Sequence, residues 1–167
     1  MNGFYKTFSV HRLCPFASTY NYFAQFSIFA KMKKSLQILL IEDDPDDVEL
    51  FREALNDNHV LHDMDVVMQG DEVIPHLQQT PTLPEVILLD LNLPKIHGKE
   101  ILKTLKSGDA FKDIPVVILT TSSAKTDIEF CLNAGAEKFI TKPTNTEGFD
   151  QLVTAVVNIV SSNHPDI

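Results

Sequence analysis

From Leu36 onward, short apolar runs alternate with longer stretches whose apolar residues recur at helical spacing. The clearest run is Val86-Ile87-Leu88-Leu89, closed by Asp90 and followed at once by Leu91-Asn92-Leu93-Pro94. A short aliphatic run bounded by proline reads as a buried strand, which puts Asp90 where backbone pairing stops and a loop begins. By the same reading, strands are expected near Leu36–Ile41, Met64–Met68, Val86–Asp90, Pro115–Thr120 and Lys138–Thr141. Pro45 suits the first turn of a helix with the apolar stripe Val48, Phe51 and Leu55, and Asp44 precedes it as a cap. Further helices are expected near Asp71–Gln79, Gly98–Ser107, Ala124–Asn133 and Glu147–Val160. The last carries Phe149, Leu152, Val153, Val156, Val157 and Val160 on one stripe, and Gly135 is placed to end the helix before it in a left-handed turn.

Five strands alternating with five helices imply an α/β fold, with right-handed crossovers and a parallel sheet covered on both faces. A domain of this size buries about two-thirds of its unfolded surface, enough for a core without disulfides or metals. The folded unit is expected over residues 36–162, followed by a short C-terminal tail at 163–167. Residues 1–35 hold all three tyrosines and six of the eleven phenylalanines with no sustained period, and are expected to be an unstructured tail. Met32 opens a second start, Met-Lys-Lys-Ser, directly before the first strand, so the tail reads as a product of an upstream initiator; an aromatic docking segment is the other reading.

Charge is unevenly placed. The first 35 residues carry five basic groups and no acid, which leaves nine basic against 23 acidic groups in the remainder. So acidic a domain repels phosphate backbones and attracts cations, which argues against direct nucleic-acid binding. Cys14 and Cys131 share no metal-ligand spacing, and Cys131 is expected in the core. No run approaches the roughly 18 apolar residues of a membrane span, and Gln25 and Ser27 interrupt the best candidate for a secretory core. Together these features read as a cytoplasmic protein with no membrane contact.

The strand ends carry the chemistry. Leu39-Leu40-Ile41 runs into Glu42-Asp43-Asp44, Val116-Val117-Ile118-Leu119 into Thr120-Thr121, and Lys138-Phe139-Ile140-Thr141 into Lys142-Pro143. Ligands of open α/β sheets bind at that edge. If the first and third strands are neighbours, Glu42, Asp43 and Asp90 converge, and three carboxylates in one pocket call for a cation. Oxygen ligands alone at the mouth of a shallow site favour Mg²⁺, which keeps waters and accepts one or two carboxylates plus a phosphate. With the Thr120 hydroxyl and the Lys142 ammonium, the set meets the needs of phosphoryl transfer onto a carboxylate.

At this point the sequence resembles the receiver domains of two-component response regulators, over about residues 36–162. The resemblance rests on Ile-Glu-Asp-Asp-Pro at 41–45, Leu-Asp-Leu-Asn-Leu-Pro at 89–94, Leu-Thr-Thr at 119–121 and Phe-Ile-Thr-Lys-Pro at 139–143, in that order and spacing. It implies a flavodoxin-like, doubly wound five-stranded parallel sheet of order 2-1-3-4-5 with five helices. It further implies Asp90 as phosphoacceptor from the phosphohistidine of a sensor histidine kinase. Glu42, Asp43, Asp90 and the Asn92 backbone carbonyl would be Mg²⁺ ligands; Thr120 and Lys142 would bind phosphoryl oxygens. Phe139 would swing inward when Thr120 moves, and the Lys142–Pro143 bond would be cis. Glu42 in place of the more frequent Asp resembles the small regulators that partner phytochrome-type kinases. Two other departures are His97, where Asp often precedes Gly98, and Thr121, where a small residue is usual and a larger one narrows access to the phosphoryl site.

Plainer readings stand beside these. Asp46 and Asp47 are read only as acids favoured by a helix N-terminus, and Asp44 as a cap rather than a ligand. Lys95, Lys99, Lys103 and Lys106 are expected on a solvated helix face, and the six histidines on the surface or in structural roles. The chain ends after the fifth helix, so output is expected through contact with another protein or onward transfer to a histidine phosphotransfer protein, and the family leaves room for a homodimer through the fourth and fifth helices. Among competing functions, an aspartyl-nucleophile phosphatase needs an acid two residues after Asp90, where Asn92 stands. An FMN binder needs a phosphate cradle where the first loop is acidic. A receiver-like scaffold that is never phosphorylated is the third alternative.

Overall fold

The computed structural model describes residues 34–163. Strands β1 (Leu36–Ile41), β2 (His62–Val67), β3 (Val86–Leu89), β4 (Val116–Thr120) and β5 (Lys138–Thr141) form one parallel sheet in the order β2-β1-β3-β4-β5. Between and after them lie α1 (Pro45–Asp57), α2 (Val73–Gln79), α3 (Gly98–Ser107), α4 (Lys125–Asn133) and α5 (Thr146–Asn163). The strand order is the flavodoxin-like one the resemblance implied.

Period-two alternation in the central strands sorts the core into two layers. Leu36, Ile38 and Leu40 of β1, Val86 and Leu88 of β3, and Val117 and Leu119 of β4 pack against Val48, Phe51 and Leu55 of α1 and the Phe149–Val160 stripe of α5. On the other face, Leu39, Ile41, Ile87, Leu89, Val116 and Ile118 meet Val73 and Leu77 of α2, Ile101, Leu102 and Leu105 of α3, and Cys131 of α4. Burying a side chain such as Phe51 or Leu88 fully contributes roughly 1.5–3 kcal/mol, and both layers repeat this many times. The sheet is thus clamped from both sides, and its carboxyl edge is held as a rigid platform.

Several boundaries differ from expectation. The segment expected as one helix over Asp71–Gln79 is a 3₁₀ turn at Gly70–Glu72 followed by α2. Pro75 lies in the first turn of α2, where its missing N–H leaves no intrahelical bond unmade, so the helix starts late rather than breaking. Strand β2 begins at His62, two residues early; it is an edge strand whose alternating exposed acids conceal it in the sequence. Helix α5 runs three residues past Val160 to Asn163. Gly135 does adopt the left-handed conformation, with φ +94°, just past α4. Of the tail expected over residues 1–35, residues 1–33 with the second start lie outside the described residues, as do residues 164–167 of the C-terminal tail, whose first residue, Asn163, instead closes α5.

Candidate functional site

The backbone ladder continues one step beyond the strands, and this step fixes the site. Glu42 N–H donates to the Val67 carbonyl at 3.0 Å, Asp90 N–H to Ile41 at 3.0 Å, and Lys142 N–H to Thr120 at 2.9 Å. Three residues from three strand ends are thereby pinned side by side on the carboxyl rim, although 48 positions separate Glu42 from Asp90 and 52 separate Asp90 from Lys142. Glu42, Asp90 and Thr120 are 1%, 4% and 0% exposed, and they are the buried polar side chains among the described residues. Burying a carboxylate costs several kcal/mol unless it is paired.

Lys142 supplies the pairing. Its Nζ lies 2.7 Å from Glu42 Oε2, 2.7 Å from Asp47 Oδ2 and 2.9 Å from Asp90 Oδ2. An ammonium has three donors, and here each meets a carboxylate. Burial works most strongly on Lys142 and disfavours its charge, yet the hydrogen bonds to Asp47, Glu42 and Asp90 outweigh it and hold the pKa above the ordinary lysine range. For Glu42 the balance is reversed: burial pushes its carboxyl above the ordinary range despite the Lys142 bond. Glu42 Oε1 also accepts from the Asp44 N–H at 3.2 Å, and Asp90 Oδ1 accepts from the Asn92 N–H at 3.2 Å.

Glu42, Asp43 and Asp90 each offer a carboxylate oxygen, all within 4.8 Å of one another. Octahedral Mg²⁺ binds oxygens at about 2.0–2.1 Å, so the three must draw closer together to share one ion. Glu42, Asp43 and Asp90 outnumber the one ammonium beside them, and the uncompensated charge favours a divalent cation. The oxygen-only, acidic donor set therefore suits a divalent cation.

Thr120 is buried, and its Oγ1 accepts from the Ser122 N–H at 3.4 Å. Asn92 is exposed at the mouth, where its Nδ2 donates to Thr121 Oγ1 at 3.5 Å. Phe139 is half-buried on β5, packed on the α3 and α4 side of the sheet. His97 caps α3, its Nδ1 accepting from the Lys99 N–H at 3.2 Å, and Asp44 caps α1 by accepting from Asp46 at 2.9 Å.

Three expectations need correction. No peptide bond among the described residues is cis, so Lys142–Pro143 is trans; the two isomers of such a bond differ by only about 0.5–1 kcal/mol, and sequence does not choose between them. The lysines are not a free solvated face. Lys106 donates to the Lys112 and Ile114 carbonyls, Lys95 pairs with Asp71 and Lys99 with Asp127, while Lys99 and Lys103 both lie over the Phe130 ring. Asp47, read only as a helix-terminus acid, reaches Lys142. A signal was available: helical side chains lean toward the N-terminus, so an acid at the third position of α1 leans back over the strand edge.

The comparisons agree with this geometry. A family model described as "Response regulator receiver domain" matches residues 38–156. Response regulator Rcp1 of Synechocystis is 34% identical over 124 residues, covering 71% of this chain and 84% of Rcp1. The phosphorylated cyanobacterial phytochrome response regulator RcpA superposes with a TM-score of 0.70 at 36% identity, covering 78% of this chain and 96% of RcpA. The Mn²⁺-bound form of Rcp1 gives a TM-score of 0.64 at 32% identity, covering 72% and 91%. With its fold, acidic rim and family match in agreement, the chain belongs to the response regulator receiver domains of two-component signalling.

Proposed function

We propose that this receiver accepts a phosphoryl group on Asp90 from the phosphohistidine of a sensor histidine kinase and signals by contact with a downstream protein or by onward transfer to a histidine phosphotransfer protein. The observation that carries this reading is the meeting of Lys142 Nζ with Asp90 Oδ2 at 2.9 Å, beside carboxylate oxygens of Glu42 and Asp43. Similarity to the cyanobacterial phytochrome response regulator RcpA supports a kinase of the phytochrome type. Among the described residues no helix is long and apolar enough to cross a membrane, and the acidic surface disfavours nucleic acid. We take the cytoplasm as the place where such a kinase would meet it.

In the transfer, an Asp90 carboxylate oxygen forms the new O–P bond as the P–N bond to the kinase imidazole breaks, and the released imidazole takes up a proton from solvent. Glu42, Asp43, Asp90 and the Asn92 carbonyl would hold a divalent cation, which would supply positive charge to offset that on the phosphoryl oxygens. Lys142 pairs with one of those oxygens and the Thr120 hydroxyl donates to another. Near 4 Å, at an effective dielectric of about 20, one unit charge pair amounts to about 4 kcal/mol before desolvation, enough to bias a two-state element. Thr120 would draw the loop after β4 toward Asp90, and Phe139 would follow inward. The protein is then a switch that at most catalyses its own phosphorylation and dephosphorylation. Asn92 stands where an aspartyl-nucleophile phosphatase needs an acid, which argues against phosphatase turnover.

Acetyl phosphate with Mg²⁺ should add one phosphoryl group by intact mass, and Asp90→Asn should abolish it. Labelling retained in that variant would overturn the assignment of Asp90. Hydrolysis of a generic phosphate ester at enzyme-like rates would favour the phosphatase instead.

A further inference from the structure

The three carboxylates on Lys142 differ in what else they must do. Glu42 and Asp90 belong to the oxygen cluster with Asp43 that fits a cation; Asp47 is outside that cluster. It stands on α1, and its Oδ2 lies 2.7 Å from Lys142 Nζ. The Lys142 side chain is only 10% exposed, so water cannot easily replace a lost partner. When a cation draws on Glu42 and Asp90, Asp47 is the acceptor that stays with the ammonium.

We propose that Asp47 is a positioning residue that holds Lys142 at the rim and frees Glu42 and Asp90 to bind a divalent cation. This rests on the reading of Glu42, Asp43 and Asp90 as metal ligands. Without the Asp47 carboxylate, a poorly hydrated ammonium turns its donors wholly onto Glu42 and Asp90 and competes with the cation for the same oxygens. With it, one charge-assisted bond persists whether or not the metal is present. The lysine is then already paired and aimed when a phosphoryl oxygen arrives.

The test is calorimetric titration of the full chain with Mg²⁺ and no phosphoryl donor, on the wild type, Asp47→Asn, Lys142→Gln and the double variant, each checked for native circular dichroism. Asp47→Asn is expected to weaken Mg²⁺ binding about three- to tenfold, and to change it less than about twofold once Lys142 is Gln. An equal loss in both backgrounds would mean that Asp47 acts on the cation as a distant charge, and would overturn the proposal. Unchanged affinity in the single variant would overturn it too. If the wild-type chain binds no Mg²⁺ at millimolar concentration, the metal reading falls and this proposal with it, whereas the other adverse outcomes leave that reading intact.

Discussion

Gly98 opens α3 directly behind the strand end that carries Asp90. A Cβ built there would lie 2.2 Å from the Asp90 carbonyl oxygen and 2.7 Å from Leu91 Cα, both backbone atoms that cannot rotate away. Its N–H donates to the Leu91 carbonyl at 3.0 Å, which closes the loop over residues 91–97. Gly98→Ala should therefore push the Asp90 backbone off the rim, costing on the order of 1–3 kcal/mol by the overpacking rule and reducing acetyl-phosphate labelling. Denaturant titration and labelling measure the two effects, and an alanine variant with wild-type values in both would sink the close-approach argument. At this scale the sequence named Glu42, Asp43, Asp90, Thr120 and Lys142 by their positions after apolar runs. It assigned Asp47 to the helix terminus instead, because a lysine 95 positions away leaves no local trace.

Helix α4 has the fewest buried residues of the five helices. Cys131 is its one buried residue, so polar and ring contacts take the place of a broad apolar stripe. Asp127 receives Lys99 Nζ at 2.5 Å and Ser122 Oγ at 2.5 Å, and Phe130 lies under Lys99 and Lys103 at 5.1 and 5.0 Å. Ser122 is two residues past Thr120, so this network ties the loop that would move on phosphorylation to α3. Elements with few buried apolar contacts are those that open most readily, which suits α4 to a switch. The hydrogen bond from Lys99, then that from Ser122, hold the Asp127 carboxyl below its ordinary pKa. The native state thus binds fewer protons there than the unfolded chain, and its stabilisation is present above about pH 4 and lost as pH falls through the folded value. Asp127→Asn should accordingly lose stability at neutral pH and show a shallower decline below about pH 4; coincident acid-unfolding curves for variant and wild type would refute this. The sequence located the strong apolar stripes of α1 and α5 but missed this network, since its lysines look like any solvated helix face.

Over the whole molecule, the two apolar layers and the acidic rim are separate. The layers hold the sheet from both faces, while the rim concentrates three carboxylates around one ammonium. Binding a cation at the rim should stabilise the native state without being needed for folding. At ten times its dissociation constant, Mg²⁺ should add about 1.4 kcal/mol, or about 3–5 °C in Tm for a chain of this size. Chelation should return Tm to the metal-free value with the fold intact. Differential scanning calorimetry with and without Mg²⁺ and EDTA measures both; a metal-insensitive Tm would count against the site, and unfolding on chelation against the separation of core from rim.

The alternation of aliphatic runs and helical stripes settled, from sequence alone, the α/β class and the approximate position of every element, because period and capping are properties of neighbouring residues. The order of the short motifs gave the family for the same reason, each motif being local to one strand end. Tertiary structure decided which strand ends stand side by side, that three carboxylates share the Lys142 ammonium, and that α3 and α4 are tied through Asp127. Those pairings join residues far apart along the chain, and they come into being only when the sheet assembles and burial removes the water that would otherwise solvate each charge.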